Sequence, residues 1–461
     1  MPNEKSFLLL PTYVEKTVKP KNKYQLEPIV ILVFFAWKFT LQIIPNQLLK
    51  QSCLFNGFNI TECSTLSSNE ASSEIEEKVQ PEVAQVMMII TVLETFVPGV
   101  SGLFLLSWSD KFGRKIVIFG SLCGTAITLM VLSFLILLTD RNLKFDPWIY
   151  VLAFIPYGIS GGTHVFLIST FCHLTDTVEE TSRSTRFMII QTLRFVGFFI
   201  GNLLCTYNFK FVSKASVTFC LSFSLVVASM FLMRSLIETS RSDITIDKTG
   251  GLISIKPIIE VVKTALQPRP MNERKILWCM FLVLFLSSFW KNGGDSVHYL
   301  YLREQFDWNL KEISIFESAN SLIKIVSCVF SIYLFKRILN LSDTTLAMIA
   351  IANLTLDFLV KACSNSPEVV IIVTILSFAE TLALPVYRSL VSSVIPKYEV
   401  GKVYSFIHVL ESLSSLIASP LYAFVYTKTF IWWSASAFYL LSACCCVINF
   451  FLVIFVIKIE R

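Results

Sequence analysis

Apolar runs of about 20 residues recur along this chain, separated by short charged turns, and that alternation leaves few folds open. Twelve such windows fall at 28–49, 83–106, 116–139, 148–174, 185–207, 215–237, 276–302, 312–334, 343–362, 369–392, 403–426 and 430–457. A helix of that length crosses the hydrocarbon core of a bilayer, and it satisfies its own backbone hydrogen bonds where no water can. The expected fold is therefore an all-α polytopic membrane protein with twelve transmembrane helices. Composition agrees: 54% of residues are hydrophobic and 16% charged, against about 25% charged in soluble domains. No soluble catalytic domain of useful size remains once the spans are removed.

The longest polar segment, 238–275, lies between the sixth and seventh windows and contains Gly250, Gly251, Pro257, Pro268 and Pro270. It reads as a cytoplasmic linker between two six-helix halves, 28–237 and 276–461, preceded by a cytoplasmic tail, 1–27. No residue-level repeat relates the halves; the symmetry is one of hydropathy. The tail has no signal-peptide core, but Glu4, Leu8 and Leu9 have acidic-dileucine spacing, which points to endosomes and lysosomes as well as the plasma membrane. With the N-terminus inside, about 24 of the 39 lysines and arginines are cytoplasmic and about 10 lie on the other side. The hydrophilic loop at 50–82 is then outside, where Asn59-Ile60-Thr61 is a glycosylation acceptor. Cys53 and Cys63 share that oxidising side, either as a disulfide or as a free pair.

Charges left inside the spans carry the functional expectation. Lys38, Arg194, Lys291, Lys324 and Arg388 are the basic ones, and Glu94, Asp295, Glu317, Asp357, Glu380 and Glu411 the acidic ones, with His164 and His408 also inside. Each costs roughly 2.5–3.5 kcal/mol at the bilayer centre on insertion scales, so such residues face a cavity or a partner. The middles of spans 3, 6 and 12 are free of charge, which leaves the others to surround a polar centre. Arg194 and Arg388 cannot lose their charge and are the first choices for an anion; Lys38, Lys291 and Trp290 complete the expected substrate site. Trp37 and Phe289 are further rings that could stack on a planar substrate. Lys38 and Glu94 either neutralise one another or meet substrate. Proton coupling, if present, falls to Glu380, Glu411, His408, Asp295 and Glu94, residue types that gain and lose protons.

Span 7 is interrupted by Lys291-Asn292-Gly293-Gly294-Asp295, expected to be an irregular outer gate or a tight loop between two shorter helices. Gly158 with Gly162, and Gly197 with Gly201, have the GxxxG spacing of close helix packing. No nucleophile constellation, phosphate loop or metal cluster stands out, so neither an enzyme, a resident cofactor nor a nucleic-acid partner is expected; the partners are a small anion, protons and lipid.

The turn at 106–115, LSWSDKFGRK, joins spans 2 and 3 at a membrane face. Gly113 permits a tight bend, and Asp110 can cap a helix or pair with Arg114 or Lys115. Ser109, Asp110, Gly113, Arg114 and Lys115 resemble the Gly-x-x-Ser/Ala-Asp-x-x-Gly-Arg-Arg/Lys signature of major facilitator transporters, with Leu106 in place of the first glycine. The resemblance implies a conformational latch here and places spans 3, 6, 9 and 12 on the lipid side. Glu27-Pro28, Thr175-Asp176 with Arg183 and Arg186, Leu300-Tyr301 with Trp308, and Pro385 with Arg388-Ser389 are similar, in order and spacing, to solute carrier family 46. That family includes the proton-coupled folate transporter. The likeness implies that Arg388 serves substrate binding and proton coupling. Gln191 stands where the folate transporter has a glutamate, Trp290 or a neighbour where it has a histidine, and Asp307 where it has a loop cysteine. The implied activity is alternating-access transport of an organic anion, such as a folate, a muropeptide or a cyclic dinucleotide, with proton symport. The alternative is a non-transporting receptor that keeps the transporter fold.

Overall fold

The computed structural model describes residues 25–64, 73–206, 213–236, 263–264, 272–306, 308, 310–364, 366–377, 380–396, 399–432 and 435–460. The sorting pattern at Glu4, Leu8 and Leu9, most of 238–275, and Asp307 lie outside them. The described chain is helical, with no strand. Its spans are α1 (Glu27–Phe55), α2 (Ser73–Phe112), α3 (Arg114–Asp140), α4 (Ile149–Thr177), α5 (Glu180–Thr206), α6 (Lys214–Ser235), α7 (Glu273–Phe306), α8 (Leu310–Ser331), α9 (Asp343–Cys363), α10 (Pro367–Leu376, then Ala383–Val394), α11 (Val400–Trp432) and α12 (Phe438–Glu460). Eleven are long and apolar enough to cross a bilayer, and α10 makes the twelfth crossing in two pieces.

The two halves repeat one packing scheme. In the first, α1 lies along α5 and α3 along α6; in the second, α7 lies along α11 and α9 along α12, each partner shifted by six spans. Across the seam α2 meets α11 and α5 meets α8, which exchange under the same shift. Two apolar cores form: one lies within the first half and is built on Phe39, Phe154 and Phe187, and the other is built on Phe281, Tyr387 and Tyr404 of the second half and reaches across the seam to Leu106, Val165 and Met188. Large apolar side chains of α6 such as Phe219, Phe223 and Met230 face outward, as a lipid-facing span requires.

Two departures from the expected helices share one cause. Span 7 is a single unbroken helix through Gly293 and Gly294, so the expected gate or loop there is not formed. Glycine costs about 1 kcal/mol in a helix but keeps its N–H, and a ladder bond is worth keeping where water is absent. Gly293 instead lets the Tyr422 ring of α11 approach; a β-carbon there would collide with it. The break falls in span 10, between Leu376 and Ala383, just ahead of Pro385. Proline has no N–H to give a preceding turn, so it belongs in a helix's first turn. Span 4 is interrupted likewise, around Pro156 and at Gly161, whose φ is +78°.

Of the small-residue pairs, Gly197 and Gly201 draw α5 onto α1, and Gly158 faces Val97 of α2. The atoms nearest to Gly162 are those of the Tyr157 ring of its own span.

Outside the spans, Cys53 and Cys63 form a disulfide with Cα atoms 5.6 Å apart. It closes a small knot with Leu54 and Phe58, and Asn59 stands exposed at the start of the helical turn Ile60–Ser64. A second acceptor triplet, Asn340-Leu341-Ser342, lies at the opposite face between α8 and α9. Asn59→Gln is expected to remove all N-glycan, seen as loss of the glycosidase-sensitive gel shift, whereas Asn340→Gln leaves the shift unchanged. A shift that depended on Asn340 would invert the assigned orientation.

Candidate functional site

A cavity of about 510 Å³ opens between the halves. Its lining residues cluster towards the ends of α1, α5, α7 and α9 and the start of α8, the side that bears Asn59. At the opposite end the seam is closed. There Arg183 donates to the Ser392 carbonyl (2.9 Å) and hydroxyl (3.1 Å), and Ser107 and Ser405 lie 3.3 Å apart.

Of the residues expected to serve substrate or protons, the cavity gathers five: Lys38, Arg194, Trp290, Lys291 and Asp295. Helical spacing explains much of this, since Lys291 and Asp295 are one turn apart on α7 and so share a face. Among the described residues, the first half contributes α1 and α5, with Lys38 and Arg194, and the rest of the lining comes from α7, α8, α9, α10 and α12. Spans 9 and 12 are thus not purely lipid-facing, because their outer ends supply Asp357, Lys361 and Tyr439.

Several polar groups here already have partners. Asp357 is 5% exposed; it accepts from Lys361 Nζ at 2.8 Å and from Ser377 Oγ at 2.6 Å. It thereby holds the end of the first α10 segment, as does Asn353, whose amide donates to the Leu376 carbonyl (3.2 Å). Glu317 approaches His298 (3.6 Å), and the other His298 nitrogen lies 3.0 Å from the Tyr439 hydroxyl. Sequence reasoning counts Glu317 and Asp357 among the charges inside the spans and singles out neither Lys361 nor His298. The i,i+4 spacing of Asp357 and Lys361 was the available signal.

Arg388 lines no part of this cavity. Its Nη2 is 2.9 and 3.0 Å from the two oxygens of Glu411, its guanidinium stands over Phe171 (5.2 Å), and the Tyr404 hydroxyl donates to its carbonyl (2.9 Å). His408 joins the same layer: its Nε2 lies 3.1 Å from the Pro98 carbonyl of the other half, and its ring stacks on His164 at 5.9 Å. Arg388, Glu411, His408 and His164 therefore form a second polar group, away from the cavity lining. Glu94 belongs to neither; one of its oxygens is buried without a hydrogen-bond partner, within electrostatic reach of Lys38. Only the backbone of Glu380 is described, in a short 3-10 turn. Trp37 stacks on Tyr157 (4.0 Å, 7°) and Phe289 packs against Tyr422, so both rings serve the cores rather than the cavity.

At the turn between α2 and α3, Gly113 has φ +108° and caps α3, which fixes why glycine stands there. Arg114 is buried, reaching Asp176 at the end of α4 (3.1 Å) and Ser109 (2.7 Å). Lys115 is half-buried beside it, and the Asp110 side chain lies outside the described atoms. Arg186 of α5 pairs with Glu27 of α1 at 3.0 Å. These contacts tie spans together within the first half at the closed end.

Twelve helical spans in two matching halves, with a charged cavity on the seam between them, are the architecture of a membrane transporter. Residues 28–419 match the Major Facilitator Superfamily, and the chain belongs to that family. It is a multi-pass membrane transporter and not an enzyme. Among curated proteins it is similar to the probable peptidoglycan muropeptide transporter SLC46 of Drosophila melanogaster, 27% identical over 88% of this chain and 80% of that one. It is also similar to the lysosomal proton-coupled steroid conjugate and bile acid symporter SLC46A3 of Rattus norvegicus, 24% identical over 90% of each. Among solved structures, the human organic anion transporter MFSD10 superposes with a TM-score of 0.68 at 17% identity, covering 93% of this chain and 99% of that one. That last likeness is one of fold.

Proposed function

We propose that this chain carries an organic anion across the membrane by alternating access, with protons moving in the same direction. The observation that supports this most directly is the seam cavity, where Lys38 and Arg194 of one half face Lys291, Lys324 and Lys361 of the other. A cavity with cations on both walls suits a carboxylate, sulfate or phosphate, and Trp290 and Phe358, packed edge-on at 5.1 Å, add an apolar wall for the rest of the cargo. The muropeptide and steroid-conjugate chemistry of the relatives fits this description, and a folate or a cyclic dinucleotide has the same charge character.

In this reading the Arg388–Glu411 pair is the proton-responsive element. A proton on Glu411 would remove the charge that holds Arg388, and His408 and His164 lie beside them at the seam. In this reading, protonation there would free α10 to move against α11.

The test is uptake of labelled muropeptide, steroid sulfate, folate and cyclic dinucleotide into cells with the chain at the plasma membrane, at about pH 5.5 and about pH 7.4. One of these anions is expected to accumulate, faster at the acid pH, and Glu411→Gln is expected to flatten the pH response. Accumulation indifferent to pH in the parent chain would remove the proton from the proposal and keep the anion. No accumulation of any anion despite surface expression would remove both.

A further inference from the structure

Lys38 stands in the cavity wall on α1, whereas Glu94 is on α2, a span that adds nothing to the described lining. The two carry opposite charges within electrostatic reach of one another, yet among the described residues neither makes a hydrogen bond or an ion pair. One Glu94 oxygen is buried with no donor on it. Burying a charge is costly unless a partner offsets it, so the charge on this carboxylate leans on the cation nearby.

The packing of α4 brings the two together. Trp37 stacks on Tyr157 at 4.0 Å, and at Gly158, the next residue, a β-carbon would stand 2.9 Å from Val97 and 3.3 Å from the Leu93 carbonyl of α2. Lys38 follows Trp37 and Glu94 follows Leu93, so both belong to the junction of α1, α2 and α4. The groups that can hold a charge or a proton there are Lys38 from α1, Tyr157 from α4 and, one to two turns further in, His408 from α11 across the seam. The Tyr157 hydroxyl is engaged with Thr163 (2.8 Å), and His408 with the Pro98 carbonyl (3.1 Å). Of the three, Lys38 lines the cavity. A cargo anion that reaches Lys38 therefore meets the same cation that balances Glu94.

We propose that Lys38 and Glu94 link cargo binding to protonation: an anionic group of the cargo engages the Lys38 ammonium from the cavity, and Glu94 takes a proton from the outer solution. The carboxylate becomes the acid by forming one O–H bond, so one positive charge enters for one negative charge of cargo. When cargo leaves on the inner side, the ammonium is returned to Glu94, which gives its proton up there. Linkage works in both directions, so protonation of Glu94 also frees Lys38 for cargo and tightens binding. This rests on the reading of the cargo as an organic anion moving with protons. It is separate from the Arg388–Glu411 pair, which acts on the movement of α10 against α11, whereas Glu94 acts on affinity.

The experiment measures KM at about pH 5.5 and about pH 7.4 for whichever labelled anion accumulates: muropeptide, steroid sulfate, folate or cyclic dinucleotide. The parent KM is expected to be about tenfold lower at the acid pH. Glu94→Gln, which imitates the protonated acid, is expected to show the parent's acid KM at both, and Glu94→Asp to restore the dependence. Lys38→Gln is expected to raise KM at both pH values and to remove the difference between them. The second readout is the proton itself. Adding the anion to purified parent chain in weakly buffered detergent solution near neutral pH, with an indicator dye, is expected to take up protons, and to take up none with Glu94→Gln. A glutamate that serves packing alone would shift KM by the same factor at both pH values and leave proton uptake in place. That result, or a parent KM equal at the two pH values, overturns the link while anion transport stands. A parent chain that accumulates none of the four anions overturns the underlying reading, and this one with it.

Discussion

Arg388→Ala is expected to be the most damaging single change in the membrane interior, lowering stability by about 3–5 kcal/mol and abolishing uptake. The guanidinium and the Glu411 carboxylate are both largely shielded, at 10% and 14% side-chain exposure, and 2.9 Å apart. Removing one leaves the other charge without its partner in a medium that cannot solvate it. Thermal unfolding in detergent, followed by tryptophan fluorescence, measures the loss. The double variant Arg388→Met with Glu411→Leu separates structure from function: exchanging both charges for apolar groups of similar size is close to neutral, so folded protein returns while uptake does not. A single variant that melts with the parent would show that the pair is not structural, and a double variant that transports would remove both residues from the mechanism.

Gly197→Ala is the second large effect, and it acts through packing alone. A β-carbon at 197 would stand 2.7 Å from the Ile31 carbonyl oxygen and 2.9 Å from the Phe35 nitrogen, both backbone atoms of α1. Neither can turn aside, so α5 and α1 must separate. Overpacking of this kind costs roughly 1–3 kcal/mol or more. The shift would also widen the contact at Gly201, against Lys38, and so misplace a cavity lysine relative to Arg194. The expected result is a lower melting temperature and weakened uptake, while Gly120→Ala, with open space around it, melts at or above the parent. Equal melting of the Gly197 and Gly120 variants would mean that the close approach of α1 and α5 is not a constraint.

The spans were legible because the bilayer judges each segment by itself. An apolar run long enough to cross forms a helix whatever its neighbours, and that rule placed all twelve. It misplaced the breaks for a physical reason. The glycines of span 7 look like the weak point, but Gly293 and Gly294 keep their N–H groups and the helix runs on, whereas Pro385, with none, sits just past the break in span 10. The packing repeat between halves was not legible either, since it is kept by helix partners and not by matching residues.

The same division holds for the site. The sequence by itself determined that Lys38, Arg194, Lys291, Asp295, Arg388 and Glu411 are charges that a membrane makes costly, because that cost attaches to each residue one at a time. Which of them meet was decided by tertiary structure. Arg388 is drawn to Glu411 and away from the cavity, Asp357 to Lys361 and Ser377, and Arg194 to the ring that Lys324 approaches from the other half. Such pairings depend on how far each helix is rotated and raised against a neighbour distant in the chain. Electrostatic attraction falls with a distance that local hydropathy does not record.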